Sequence, residues 1–327
     1  MNYRKLGKTG IEVSEISLGT WQVGGGWGQP FDHKNAAKIL NNAADKGINF
    51  IDTADVYDDG KSEQAVGEFV RSRSEKIYVG TKCGRRFQPH TDEMYTPNAL
   101  RKFVEDSLRN TGLERLDLIQ LHCPPTETYY RPEIFEVFDR MQSEGKIAHL
   151  GVSVEKVEEG LKALEYDNVC TLQLIFNMFR QRPAGLLFKQ AALRDVGLIV
   201  RVPLASGLLT GKFSAASTFG EGDHRNFNRN GEVFDRGETF AGIPFQKGLD
   251  VVGQLKALFP GQPLAAIALR WILMYEEVSC IIPGASRAEQ LHANIQASEL
   301  PPLTKEQTEG IQKLYEEHIK PEVHHFW

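Results

Sequence analysis

Four polar side chains, Asp52, Tyr57, Lys82 and His122, each come at or just past the end of a short apolar run. The runs read Phe50-Ile51-Asp52-Thr53-Ala54-Asp55-Val56-Tyr57, Gly80-Thr81-Lys82 and Leu121-His122. If these are consecutive parallel strands of one barrel, all four groups reach the same mouth. Such a set suits moving a proton on and off a carbonyl oxygen. A phenol titrates near ~10 when unperturbed and must be brought lower to act well as an acid at neutral pH. A Lys82 ammonium beside Tyr57 favours phenolate, and Asp52 would keep that ammonium charged and in place. His122 could donate a hydrogen bond that orients the carbonyl. Taken singly, each of these residue types is more often structural or solvated than catalytic. The four at successive strand ends carry the reading.

The elements that must position them follow a steady rhythm. Candidate strands at 16–18, 50–53, 77–81, 116–121, 148–152, 171–176, 198–202 and 279–282 alternate with amphipathic stretches, which argues for a parallel β/α architecture. Alternation alone fits a closed barrel or a doubly wound sheet. Polar residues after most strands in turn favour one ring of loops, hence a (β/α)8 TIM barrel forming a single domain over 1–327. A β-hairpin around Gly7-Lys8-Thr9-Gly10 is expected ahead of it, and a long polar loop at 214–243 after the seventh strand, with Phe219, Phe227, Phe234 and Phe240 spaced through it. Ala36, Ile39, Leu40 and Ala43 recur at helical spacing ahead of Gly47, a suitable C-cap. Thr96-Pro97 and Pro132 open further helices, and Ser62 with Glu63 would cap another. Pro260-Gly261-Gln262-Pro263 marks a break before a helix holding Ala266, Leu269 and Arg270.

Bulk properties exclude several classes. In 327 residues, 38 lysines and arginines face 43 aspartates and glutamates, so the net charge of −5 gives no footprint for nucleic acid or an anionic membrane surface. No apolar stretch reaches membrane-span length, and Met1-Asn2-Tyr3-Arg4-Lys5 is not followed by a signal-like apolar region, so a cytoplasmic location is expected. Cys83, Cys123, Cys170 and Cys280 show no disulfide or metal-binding spacing and read as free thiols. Cys83 and Cys123 directly follow Lys82 and His122, which makes them candidates for oxidation if Lys82 lowers a thiol pKa. A metal site there is disfavoured, because Lys82 would repel the cation.

On Asp52, Tyr57, Lys82 and His122 the chain resembles the aldo-keto reductase superfamily, in a bacterial type related to the potassium-channel β-subunit branch, and nearly its whole length follows the pattern. The resemblance implies that these four form the catalytic tetrad of an NADPH-dependent reductase of aldehydes or ketones. It also implies NADP(H) lying extended across the mouth; no G-x-G-x-x-G follows a strand to suggest a Rossmann site. Gly19, Thr20 and Trp21 match a contact with the nicotinamide ribose. Ser153, Gln173 and Asn177 match positions around the nicotinamide, the first two bonding its carboxamide. Pro203, Leu204, Ala205, Ser206, Gly207 and Leu208, through Lys212, resemble the segment that closes over the pyrophosphate, with Gly207 allowing backbone approach. Gly284, Ser286, Arg287, Gln290 and Asn294 match the adenosine end, where Ser286 and Arg287 would take the 2′-phosphate; alone, Arg287 reads equally as a solvated residue in a first helical turn.

Two departures stand out. Val154 replaces the family's common asparagine, and Arg201 occupies the place of the aromatic that stacks on the nicotinamide. A flat guanidinium there would disfavour the oxidised, cationic ring, unless Arg201 instead pairs with a carboxylate. The substrate pocket is expected among Trp21, Trp27, Arg85, Arg86, Phe87, Tyr129 and Tyr130, with Phe240 closing over it, and Gly24-Gly25-Gly26 giving the first loop mobility. The terminal His324-His325-Phe326-Trp327 reads as aromatics docking on the barrel. Two alternatives keep the fold: a sugar or polyol dehydrogenase running oxidatively, and a cofactor-sensing regulatory subunit. Substrate and oligomeric state stay open.

Overall fold

The computed structural model describes residues 1–25 and 28–327. Strands β1 (Tyr3–Lys5) and β2 (Glu12–Ser14) form the expected antiparallel hairpin, Tyr3 opposite Ser14. Its turn is a 3-10 turn over Gly7–Thr9 rather than a two-residue loop. Gly7 is required: it has φ +51°, and a Cβ there would lie 2.2 Å from the backbone nitrogen of Gly197. Leu6, Ile11 and Val13 pack with Phe50, Leu118, Ile199 and Cys280, so the hairpin plugs the N-terminal end of the sheet. Arg4 ties it down by donating to the carbonyls of Leu273 (2.6 Å) and Val278 (2.9 Å).

The eight-stranded sheet runs β3 (Leu18–Gly19), β4 (Phe50–Asp52), β5 (Tyr78–Cys83), β6 (Leu116–His122), β7 (Ile147–Ser153), β8 (Val169–Ile175), β9 (Gly197–Arg201) and β10 (Val278–Ile281), each parallel to its neighbour. Parallel bridges from Ile16 to Ile281 and from Gly19 to Gly284 close the ring, giving the (β/α)8 barrel the alternation implied. All eight expected strands form. Gly19 permits the closure, since a Cβ on it would sit 2.7 Å from the Ile282 carbonyl oxygen. The strands are buried on both faces, as their near-continuous apolar runs require.

Helices α1 (His33–Asp45), α2 (Lys61–Ser72), α3 (Pro97–Thr111) and α4 (Pro132–Ser143) pack outside the first half. Thr96 caps α3 by accepting from the Ala99 N–H at 3.3 Å, and Gly47 takes the left-handed conformation one residue past the α1 cap. Ser62 does not cap α2. The cap is Gly60 in a left-handed conformation, while the Ser62 hydroxyl turns inward to Thr53 (2.9 Å) and Thr20 (2.8 Å). In the second half come α5 (Val157–Ala163), α6 (Leu187–Leu193), the short α7 (His224–Phe227), α8 (Phe245–Leu258), α9 (Leu264–Leu273), α10 (Ala288–Gln296), α11 (Lys305–Leu314) and α12 (Lys320–Val323). The expected break separates α8 from α9.

The 214–243 segment holds α7 and two 3-10 turns. Phe219 and Phe240 cluster with Phe213 and Phe245, and the Arg225 guanidinium lies 4.6 Å from the Phe219 ring centre. Beneath it, Trp327 is buried with the Arg180 guanidinium stacked at 4.1 Å, so the tail docks as expected, though Phe326 stays exposed. Gly24 lies against the Phe31 ring, 2.2 Å from where a Cβ would stand, so close packing explains this glycine. Among the described residues, no helix is long and apolar enough to cross a membrane.

Left-handed backbone in non-glycine residues is concentrated at one end. Asp58, Asp59, Cys123, Val202, Ala205, Ser206, Phe240 and Ala241 adopt it in loops that follow β4, β6 and β9; Asp195, before β9, is the exception. Such conformations cost of order 1–3 kcal/mol each and persist where surrounding contacts impose them.

Candidate active site

Parallel neighbours at matched register bring the four chemical groups together. β4 ends on Asp52, level with Gly80 of β5, and Lys82 follows further along β5, so both side chains emerge at the C-terminal mouth. The Lys82 ammonium, buried, donates to Asp52 Oδ2 (2.6 Å), the Thr53 carbonyl (2.7 Å) and the Tyr57 hydroxyl (3.2 Å). His122 ends β6, its ring edge-on to Tyr57 with centres 6.1 Å apart. All four expected residues therefore meet. Two partners escaped the sequence reading: Asp52 Oδ1 accepts from the side-chain amides of Gln173 (2.7 Å) and Gln120 (3.3 Å), which fix the carboxylate.

The electrostatics correct one expectation. Burial raises the Tyr57 phenol above its usual value and outweighs the opposing pull of Lys82, so the group is a protonated donor at neutral pH. Lys82 keeps its proton because Asp52, then Tyr57, together overcome the lowering effect of burial. Burial, followed by the charges of Lys82, Arg85 and Arg201, drives His122 well below the usual imidazole range. It is neutral, and its buried Nδ1 has no hydrogen-bond partner. The Cys83 thiol is raised well above its ordinary value by burial and by Asp55 and Glu63, and Cys123 is pushed up to about 11 chiefly by burial. Neither is activated by Lys82. Among the described residues no cluster could hold a metal ion.

The positions matched to a cofactor line the same mouth, with differing availability. Thr20 turns inward, donating from Oγ1 to the Asp52 carbonyl at 2.9 Å, which leaves Trp21 as the outward residue of that loop; it stacks over Tyr57 at 6.0 Å. Ser153 ends β7, buried, 3.5 Å from Cys123 Sγ. Gln173 directs its amide to Asp52, as described. Asn177 is engaged at both ends, donating to the Val202 carbonyl (3.0 Å) and accepting from the Phe179 N–H (2.9 Å), so its role is to brace the turn after β8. Arg201 does not lie free for stacking: it pairs with Glu238 and donates to the Val154 carbonyl at 3.3 Å. The carboxylate alternative holds, and the guanidinium charge is balanced.

Past β9, Pro203 and Leu204 turn into a 3-10 segment over Ala205–Thr210 that holds Ala205, Ser206, Gly207 and Leu208 and is joined to the long loop, Ser206 Oγ donating to the Glu238 carbonyl at 2.5 Å. Gly207 has φ +93° and faces the Phe213 ring, and Lys212 beyond it is exposed. Gly284 and Arg287 are exposed at the start of α10, where Gln290 Oε1 accepts from the Ser286 N–H (2.9 Å) and hydroxyl (3.1 Å). Asn294 reaches the Gly284 carbonyl at 3.5 Å.

The pocket expectations divide. Trp27 lies outside the described residues. Arg85 is part-exposed and pairs with Glu155 at 3.3 Å, and Arg86 pairs with Asp59. Tyr129 is fully buried, so it belongs to the core; its neighbour Tyr130 is the exposed ring, beneath Lys162. Phe87 packs on Tyr95 and Phe103. The long loop supplies what was missed: His224 and Phe234 beside Trp21, with ring centres at 5.3 and 6.2 Å. Phe234 is among the phenylalanines spaced through this loop, but no spacing signal marks it or His224 as facing Trp21.

Comparison with known proteins agrees with the barrel fold. The family model described as the aldo/keto reductase family matches residues 15–316. An NADH-specific methylglyoxal reductase of Escherichia coli (strain K12) is 29% identical over 312 residues, 89% of this chain and 92% of that protein. Among solved structures, the holo form of an aldo-keto reductase from Bacillus halodurans superposes with a TM-score of 0.77 at 28% identity, covering 97% of this chain and 99% of that one. A glycerol dehydrogenase from Gluconobacter oxydans gives 0.78 at 29% identity, covering 97% and 96%.

Proposed function

The chain belongs to the aldo/keto reductase family, and from that premise we propose that this oxidoreductase reduces an aldehyde or ketone to an alcohol with NADPH. The observation that carries the reading is the Lys82 ammonium held between Asp52 at 2.6 Å and the Tyr57 hydroxyl at 3.2 Å, with His122 beside the phenol. Bound nicotinamide supplies a hydride to the carbonyl carbon. Everything else falls to the protein. Tyr57 donates its phenolic proton to the carbonyl oxygen as negative charge develops there, and Lys82 stabilises the resulting phenolate. Asp52, steadied by Gln120 and Gln173, keeps Lys82 charged. His122, neutral, directs an N–H at the carbonyl oxygen and orients it. Trp21 forms a flat wall over Tyr57.

The residues present fit such a cofactor. Exposed Lys212 and Arg287, neither in an ion pair among the described residues, follow the neighbouring strands β9 and β10. The Ser286 N–H and hydroxyl, held by Gln290, sit at the start of α10, where phosphate is favoured. Arg287 and Ser286 support NADPH over NADH, although one relative is described as NADH-specific. The likeness to a glycerol dehydrogenase favours a second reading, oxidation of a polyol by the same four groups run backwards. Oxidation of NADPH and of NADH with a panel of aldehydes, ketosugars and dicarbonyls tests the proposal. Turnover with NADPH supports it; tight NADPH binding with turnover only from alcohols and NADP⁺ would transfer the assignment to the oxidative reading.

A further inference from the structure

Resting on the carbonyl-reductase reading, we propose that Glu155 determines substrate class. By pairing with Arg85 it neutralises the guanidinium that would otherwise hold an anionic substrate group, so the mouth accepts small uncharged carbonyl compounds and rejects carboxylated or phosphorylated ones.

Arg85 and Arg201 act on His122, Arg180 lies beside Arg201 and Glu155, and each of the three guanidiniums has its own carboxylate. Arg180 pairs with Asp235 at 3.3 Å, Arg201 with Glu238, and Arg85 with Glu155 at 3.3 Å. Their side-chain exposures are 2%, 11% and 22%, so of these three Arg85 alone can meet a ligand appreciably. Arg85 comes from the loop after β5 and Glu155 from the turn after β7, on either side of the strand that ends in His122. The pair therefore sits beside the carbonyl-orienting imidazole, and the Arg85 charge is among those that depress His122.

Glu155 is held there by its own backbone. Its N–H donates to Glu159 Oε2 at 3.0 Å, and its carbonyl accepts from Arg180. An incoming anion would place a third negative charge next to Glu155 and Glu238. With each carboxylate already balanced by a guanidinium, the mouth offers an anion no free counter-charge to offset its desolvation, whereas a neutral carbonyl compound needs none.

The groups facing Glu155 are Arg85, Arg201 and Arg180, the carboxylates Asp235, Glu238 and Glu159, and the buried Cys123 and Tyr129. Burial, then Asp235, raises its carboxyl to about 7 against the pull of Arg85. Below that pH Glu155 is protonated and Arg85 is released, so anions should bind better as pH falls. Asp55, raised to about 7 mainly by burial, titrates in the same window. A variant is therefore needed to assign the effect.

The experiment is equilibrium binding of butanoate, followed by tryptophan fluorescence, to wild type, Glu155→Gln and Arg85→Gln at pH 8 and pH 6. The kcat/KM ratio of 4-oxobutanoate to butanal with NADPH is read in parallel. One charge-assisted hydrogen bond gained implies about tenfold or tighter butanoate binding in Glu155→Gln at pH 8. Wild type should tighten at pH 6, the pH effect should vanish in Glu155→Gln and shrink in Arg85→Gln, and the kcat/KM ratio should rise with Glu155→Gln. Equal butanoate binding by wild type and Glu155→Gln would overturn the proposal. So would an undiminished pH effect in Arg85→Gln, a measurement that does not depend on Glu155→Gln folding. Absence of turnover with both aldehydes would count against the reductase reading, while the butanoate titration would still decide this one.

Discussion

The buried Lys82–Asp52 pair gives a thermodynamic test independent of catalysis. At 2.6 Å, with neither partner more than 2% exposed, the two charges attract by about 6 kcal/mol at an effective dielectric constant near ~20. Most of that attraction offsets desolvation, so its loss is felt only when one partner remains behind. Lys82→Met leaves Asp52 buried with two amide donors and no counter-charge; Asp52→Asn leaves a buried ammonium facing two amides and Tyr57. Each should lower unfolding free energy by roughly 3–5 kcal/mol. The double variant Lys82→Met/Asp52→Asn removes both charges and should recover most of the loss, leaving a coupling of about 3 kcal/mol or more, while carbonyl reduction stays abolished in all three. Urea unfolding followed by circular dichroism reads the stability, and NADPH oxidation reads the activity. Additive losses in the double variant would refute the claim that these side chains form one charge-balanced unit.

Two further outcomes follow from the titration behaviour of the site. Because burial holds the Tyr57 phenol protonated above its usual range, the rate of carbonyl reduction should be flat through neutrality; alcohol oxidation, which needs phenolate, should climb with pH, and parallel pH profiles for both directions check this. Cys83, Cys123 and Cys280 are buried with raised thiol pKa values, whereas Cys170 is half-buried, so brief iodoacetamide treatment of the native protein should label Cys170 alone by mass spectrometry.

Local chemistry made the scaffold legible. Each barrel strand is an apolar run bounded by turn residues, and Thr96-Pro97 marks a helix start because its side chain answers an unbonded N–H. The grouping of Asp52, Tyr57, Lys82 and His122 was legible for the same reason: a strand end fixes where a side chain emerges, and the three consecutive strands β4, β5 and β6 share a mouth. What stayed hidden depends on contacts between distant segments. Glu238 lies 37 residues from Arg201, and only the fold of the long loop brings them together. Gln120 reads as a strand residue and Gln173 as a nicotinamide contact until the barrel's interior shows both converging on Asp52. Tyr129 and Tyr130 are adjacent and chemically alike, so the sequence gives no reason to bury the first and expose the second. Ser62 resembles a cap because serine usually serves there; Gly60 takes the position instead, since its left-handed turn releases Ser62 to join Thr20 and Thr53.

The central claim is that Tyr57 delivers the proton while Lys82 supports it. Single-turnover reduction of an aldehyde by NADPH deuterated at the transferring carbon, in wild type and Tyr57→Phe with cofactor affinity measured alongside, addresses it most directly. The account requires deuterium on the product carbon with wild type, and a loss of about 10²–10⁴ in rate for Tyr57→Phe at unaltered NADPH affinity. Reduction by Tyr57→Phe at a rate near wild type would contradict it.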